Sequence, residues 1–125
     1  MFLFLEQIFR KPYLAILVTV IACFLMFSPA PDEELNIPDF LWFINDKVVH
    51  CSMFLGIAFL WKRYFLRASW LLYVLVTFAI ITEVIQYLLP THFGRSFEMN
   101  DIFADCIGIG LGFLASVLFD KFLIR

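Results

Sequence analysis

Charge is scarce in this chain. Only 16% of its 125 residues are Asp, Glu, Lys or Arg, and the formal net charge is −2. No basic cluster stands out, which argues against a nucleic-acid partner. The three cysteines, Cys23, Cys51 and Cys106, lack the paired spacing of a metal finger and lie inside apolar runs, so they read as small buried hydrophobes. A Cys51–Cys106 bridge is conceivable, since both sit near the same end of their runs, but it is not expected. No close-spaced ligand motif such as HExxH occurs, and neither Ser52 nor Ser96 has a nucleophile motif around it.

Hydrocarbon is abundant instead. The chain is 63% apolar with 17 Phe, and its mean hydropathy is +0.93. A soluble domain of this size is nearer half apolar and alternates apolar with polar faces. So small a globule could not hide this much apolar surface from water. Lipid is the expected solvent, and a single all-α bundle of membrane spans, with no second domain, is the expected architecture.

Four apolar runs are legible, at about 13–30, 47–63, 68–89 and 101–120. The first follows Arg10 and Lys11 and mimics a signal peptide, with Ser28 and Ala30 in a small-x-small pattern. Pro31 just after the cut would suit the peptidase poorly, so an uncleaved span is expected. The second is short for a ~30 Å slab and must borrow length from Asp46 and Lys47 at one end and from snorkelling Lys62 and Arg63 at the other. Seven Lys and Arg (Arg10, Lys11, Lys62, Arg63, Arg67, Lys121, Arg125) fall on one side, against Lys47 and Arg95 on the other. Both termini are therefore expected in the cytoplasm. The loop at 31–45 faces outward, and "IPDFLWFIN" within it reads as a short interfacial helix.

The polar residues inside the runs share one depth. His50 lies ~6 Å below Asp46, Glu83 and Gln86 lie ~10 Å and ~6 Å before Pro90, and Asp105 lies ~6 Å beyond Asp101. Helical spacing puts Asp46 with His50, Glu83 with Gln86, and Asp101 with Asp105 on common faces. On the last run, Asp101, Asp105, Gly108 and Gly112 continue one stripe. Its small residues allow close helix packing, so the acids are expected to point inward. A carboxylate as deep as Glu83 costs a few kcal/mol unless paired or protonated, and Arg95 and His50 are the partners at hand.

"DKVVH", "EVIQ" and "GRSFEMNDIFADCIGIGLG", in that order, resemble the VanZ-like integral membrane proteins over residues 45–112. The family pattern falls on Asp46, Lys47, His50, Glu83, Gln86, Arg95, Asp101, Gly108 and Gly112. Two departures stand out: "PTHFGR" is a longer approach to Arg95 than the family's Pro-Gly-Arg turn, and Asp105 stands where Asn is usual. The resemblance implies a multi-pass protein of the bacterial cytoplasmic membrane with a role in the cell envelope. The family's name-giving member is associated with low-level resistance to teicoplanin.

Three functional readings follow. The leading one is an outward-facing pocket for a lipid headgroup or cell-wall precursor, lined by Asp46, Lys47, His50, Glu83, Gln86, Arg95, Asp101 and Asp105. Lys47 and Arg95 would grip phosphate or carboxylate, and the acids would accept from hydroxyl or amide groups. The second is an intramembrane enzyme on a lipid-linked substrate, with His50 and Glu83 as acid and base. The third is structural, the polar layer serving as glue between helices. Membrane lipids are the expected partners, with a homo-oligomer through the Gly108/Gly112 face as a further option. His50, Glu83, Asp101 and Asp105 offer donors that suit a moderately hard divalent ion. Without a ligand motif, however, neither metal nor cofactor is expected.

Overall fold

In a computed structural model, which describes residues 1–29 and 39–123 and no side chains at 39–44 or 123, every regular element is helical. The order is α1 (Phe2–Phe9), α2 (Pro12–Phe27), α3 (Asp39–Tyr64), α4 (Leu71–Leu88), a short 3₁₀ turn (Thr91–Phe93) and α5 (Met99–Leu123). Pro12 sits in the first turn of α2, where its missing N–H costs nothing. It also marks a sharp bend, since α1 meets α2 at 65°.

Two helices, α4 and α5, are long and apolar enough to cross a membrane, and α1 with α2 makes a third if the bent pair counts as one span. α3 is longer than expected. It runs as one helix from Asp39, so the backbone of the anticipated interfacial segment from that residue onward is continuous with the second apolar run. The rest of that segment and the acids Asp32, Glu33 and Glu34 lie outside the described residues.

Burial is inverted relative to a soluble helix. On α4 the hidden side chains include Thr82, Glu83 and Gln86, while Leu72, Tyr73, Val74, Ile80, Ile81 and Val84 are exposed. That is the pattern of a helix whose outer face meets hydrocarbon.

The most extensive helix pair is α3 with α5. Gly108 and Gly112 make it possible. A Cβ on Gly108 would run into the backbone oxygen of Cys51, and one on Gly112 would lie 2.6 Å from the Leu55 oxygen. The glycine face is thus filled by α3 of the same chain, and a homo-oligomer through it would have to displace that helix. Phe54, Ile57, Ala58 and Ile109 form the centre of the core with Ala22 and Met26 of α2 and Leu71, Leu75 and Ala79 of α4. All three cysteines are free.

Arg63 departs from expectation. Its side chain does not snorkel outward but is buried, donating to the Asp120 carboxylate of α5 with its guanidinium 4.9 Å from the Phe119 ring centre. Lys62 instead reaches the Leu66 carbonyl, 3.1 Å away in the turn that follows its helix.

Candidate functional site

At the opposite end of the α3–α5 seam, three helices bring their ionisable groups together. α3 contributes Asp46, Lys47 and His50 one turn apart, α4 contributes Glu83 and Gln86, and α5 contributes Asp101 and Asp105. Asp101 lies within the first turn of α5 rather than at its cap, so its carboxylate meets the positive end of the helix dipole.

His50 is the hub. Its ring is buried, and its two nitrogens face different acids. Nδ1 lies 3.0 Å from Asp105 Oδ1 and 4.0 Å from Glu83 Oε1. Nε2 lies 3.9 Å from Asp101 Oδ2 and 4.0 Å from Asp46 Oδ1. The ring therefore separates an inner acid pair, Glu83 and Asp105, from an outer pair, Asp46 and Asp101.

The outer pair has a counter-ion. Lys47 Nζ donates to Asp46 Oδ2 at 3.1 Å, to Glu98 Oε2 at 2.6 Å and to the Asp101 carboxylate. The inner pair is less well served. Glu83 Oε2 accepts from the Glu98 backbone N–H at 3.3 Å, while among the described residues Glu83 Oε1 and Asp105 Oδ2 have no hydrogen-bond partner. Both side chains are fully buried. Buried polar atoms are nearly always satisfied, and each exception asks for an explanation.

Arg95 does not reach Glu83. Gly94, with its positive φ of 67°, turns the chain after the 3₁₀ segment. Arg95 then donates from Nε to the Ser28 carbonyl at 3.0 Å and from Nη2 to Leu25 O at 3.1 Å. These are carbonyls at the C-terminal end of α2, where a cation is favoured and acceptors are otherwise orphaned. Gln86 supports the same helix end, its Nε2 donating to Met26 O at 2.9 Å, and its own Oε1 is left without a partner.

Beside His50 is a cavity of about 90 Å³, lined by Asp46, His50, Gln86, Arg95, Glu98 and Asp101 together with Gly94 and Ser96. Glu98 is the member that sequence reasoning passed over. It lies in an irregular stretch with no periodicity to place it, and its only signal is an acid three residues before Asp101 in "EMND". Among the described residues, five carboxylates (Asp46, Glu83, Glu98, Asp101, Asp105) thus meet Lys47, Arg95 and one imidazole. Carboxylates outnumber the basic side chains at the site by five to three.

Apolar helices wrapped around a buried ionisable layer define the class: an all-helical integral membrane protein whose polar residues face inward. The family model described as VanZ/LLP1 matches residues 2–120, and the chain belongs to that family. No curated protein and no solved structure matches it.

Proposed function

We propose that the chain is a four-span protein of the bacterial cytoplasmic membrane, with both termini inside, whose outward-facing cavity binds the polar end of a lipid or cell-wall precursor. α3 supports the fourth span, because its 26 residues extend ~39 Å against a ~30 Å hydrocarbon slab. Lys62 and Arg63 stand in its last turn, while Asp46 and Lys47, about two turns in from Asp39, are paired with each other and with Asp101 of α5. The Lys and Arg asymmetry supports the orientation.

The observation that carries the binding reading is a cavity lined by three carboxylates and by His50, whose ring also meets a fully buried acid pair. At about 90 Å³ it is far smaller than the 300–1,000 Å³ typical of drug-sized sites. It suits a headgroup fragment and not the body of a precursor. The basic groups that would grip a phosphate are engaged elsewhere, Lys47 with three carboxylates and Arg95 with helix carbonyls. An amine- or hydroxyl-bearing group therefore fits better than a highly charged anion. Occupying such a group on a wall precursor is the route by which the chain would alter teicoplanin susceptibility.

The test is mass spectrometry of what remains bound after gentle detergent extraction. Wild type is expected to retain an amphiphile with an amine or hydroxyl headgroup, and Asp46→Asn and Glu98→Gln to retain several-fold less at equal abundance. Equal retention by all three removes the proposal. A catalytic reading is favoured by one feature, an imidazole flanked by carboxylates through both nitrogens, as an acid/base group requires. Under that reading the bound amphiphile changes mass with time, and His50→Gln stops the change.

A further inference from the structure

The inner pair has no ammonium of its own to answer it in the way Lys47 answers the outer one, yet it holds two unpartnered, fully buried carboxylate oxygens beside an imidazole nitrogen. We infer that His50 Nδ1, Glu83 and Asp105 form a site for a divalent cation of borderline hardness, of the Mn²⁺, Fe²⁺ or Zn²⁺ type. One donor from each of the three side chains lies within 4.8 Å of the others. A shell with metal–ligand distances of ~2.1 Å holds its donors up to ~4 Å apart, so closing the trio needs a contraction of under ~1 Å.

Three observations converge. Glu83 Oε1 and Asp105 Oδ2 are the unpartnered oxygens, on side chains with 0% exposure. A mixed imidazole and carboxylate set suits an ion between the hard and soft extremes. Finally, the second ring nitrogen is turned toward carboxylates, the groups that orient metal-binding histidines, at distances beyond a direct hydrogen bond. Here Nε2 faces Asp101 and Asp46 at 3.9 and 4.0 Å. Binding at Nδ1 calls for the tautomer that carries its proton on Nε2, toward those acids.

The geometry also chooses between the two acid trios. Asp46, His50 and Asp101 meet the same distance limit, but Lys47 contacts both carboxylates and would repel a second cation there. The inner trio lies one helical turn deeper, and of its three side chains His50 also lines the cavity. The inference is independent of the headgroup reading.

The experiment is titration of the full-length, chelator-stripped protein in detergent with MnCl₂ in the presence of excess Mg²⁺, followed by electron paramagnetic resonance. One Mn²⁺ per chain is expected, with spin-echo modulation from a single directly bound imidazole nitrogen. Glu83→Gln and Asp105→Asn are each expected to weaken binding at least tenfold, and Asp46→Asn to weaken it less than either. Wild type that takes up no stoichiometric Mn²⁺, or takes it without the nitrogen coupling, overturns the inference without reference to any variant. So does a larger loss from Asp46→Asn than from Glu83→Gln, which moves the ion to the outer trio. Retained amphiphile is measured on the same stripped samples, so either proposal can fail while the other stands.

Discussion

The two ends of the α3–α5 seam both join the helices through charge, but they do so on different terms. At one end Arg63 meets Asp120, one cation and one anion, with the acid half exposed and the guanidinium resting on Phe119. That end is balanced in charge, although among the described residues Arg63 Nε is buried without a hydrogen-bond partner. At the other, five carboxylates crowd around Lys47, His50 and Arg95, and two of their oxygens are buried without partners. A pair that exists to fasten helices needs no surplus acid, because each uncompensated buried charge costs several kcal/mol. Under the proposals above, the surplus carboxylates serve the bound group.

The seam between the ends offers the largest effect. Gly108→Leu places a side chain against the Cys51 backbone, which cannot rotate away. It should lower the amount of folded protein in the membrane by at least tenfold, as read by fluorescence-detected gel filtration. The milder Gly110→Ala, whose Cβ meets nothing within 4 Å, should leave abundance unchanged.

The balanced end comes next. Arg63→Met removes the buried guanidinium and leaves Asp120 half exposed. The cost should be about 1–3 kcal/mol by thermal unfolding, with retained amphiphile unaffected. If Arg63→Met also empties the cavity, the two ends are not separable in the way described.

Arg95→Ala should have the smallest effect. It frees the Ser28 and Leu25 carbonyls at the end of α2, both close enough to the surface to recover water. A loss of about 1 kcal/mol is expected. Ligand retention should fall by less than it does in Asp46→Asn. A greater fall would mean that the guanidinium grips the ligand and that its bonds to α2 are secondary.

Much of this arrangement is legible in the sequence, and the reason is helical pitch. Depth along a helix follows from residue count, so His50, Glu83, Gln86, Asp101 and Asp105 can be placed in one layer before any coordinates. Small residues on the acid-bearing face of α5 then turn that layer inward. What pitch cannot supply is the partner of a group outside a helix. Arg95 finds carbonyls of α2, about 70 residues away in sequence, because the orphaned acceptors at a helix end leave no trace in side-chain pattern. Glu98 is hidden for the same reason. Arg63 misleads in another way: a Lys-Arg pair at the end of an apolar run looks like two snorkelling cations, and only the neighbouring helix shows that one of them turns inward to Asp120.

The most direct measurement is a comparison of melting temperatures for Glu83→Gln and Asp120→Asn in one detergent, after chelation. Removing the acid from the balanced pair leaves Arg63 buried and unanswered, so Asp120→Asn should melt several degrees below wild type. Removing surplus charge from the crowded end should leave Glu83→Gln at or above wild type. A Glu83→Gln protein that melts as low as Asp120→Asn would contradict the account, because the acid layer would then be fastening helices and not holding a ligand.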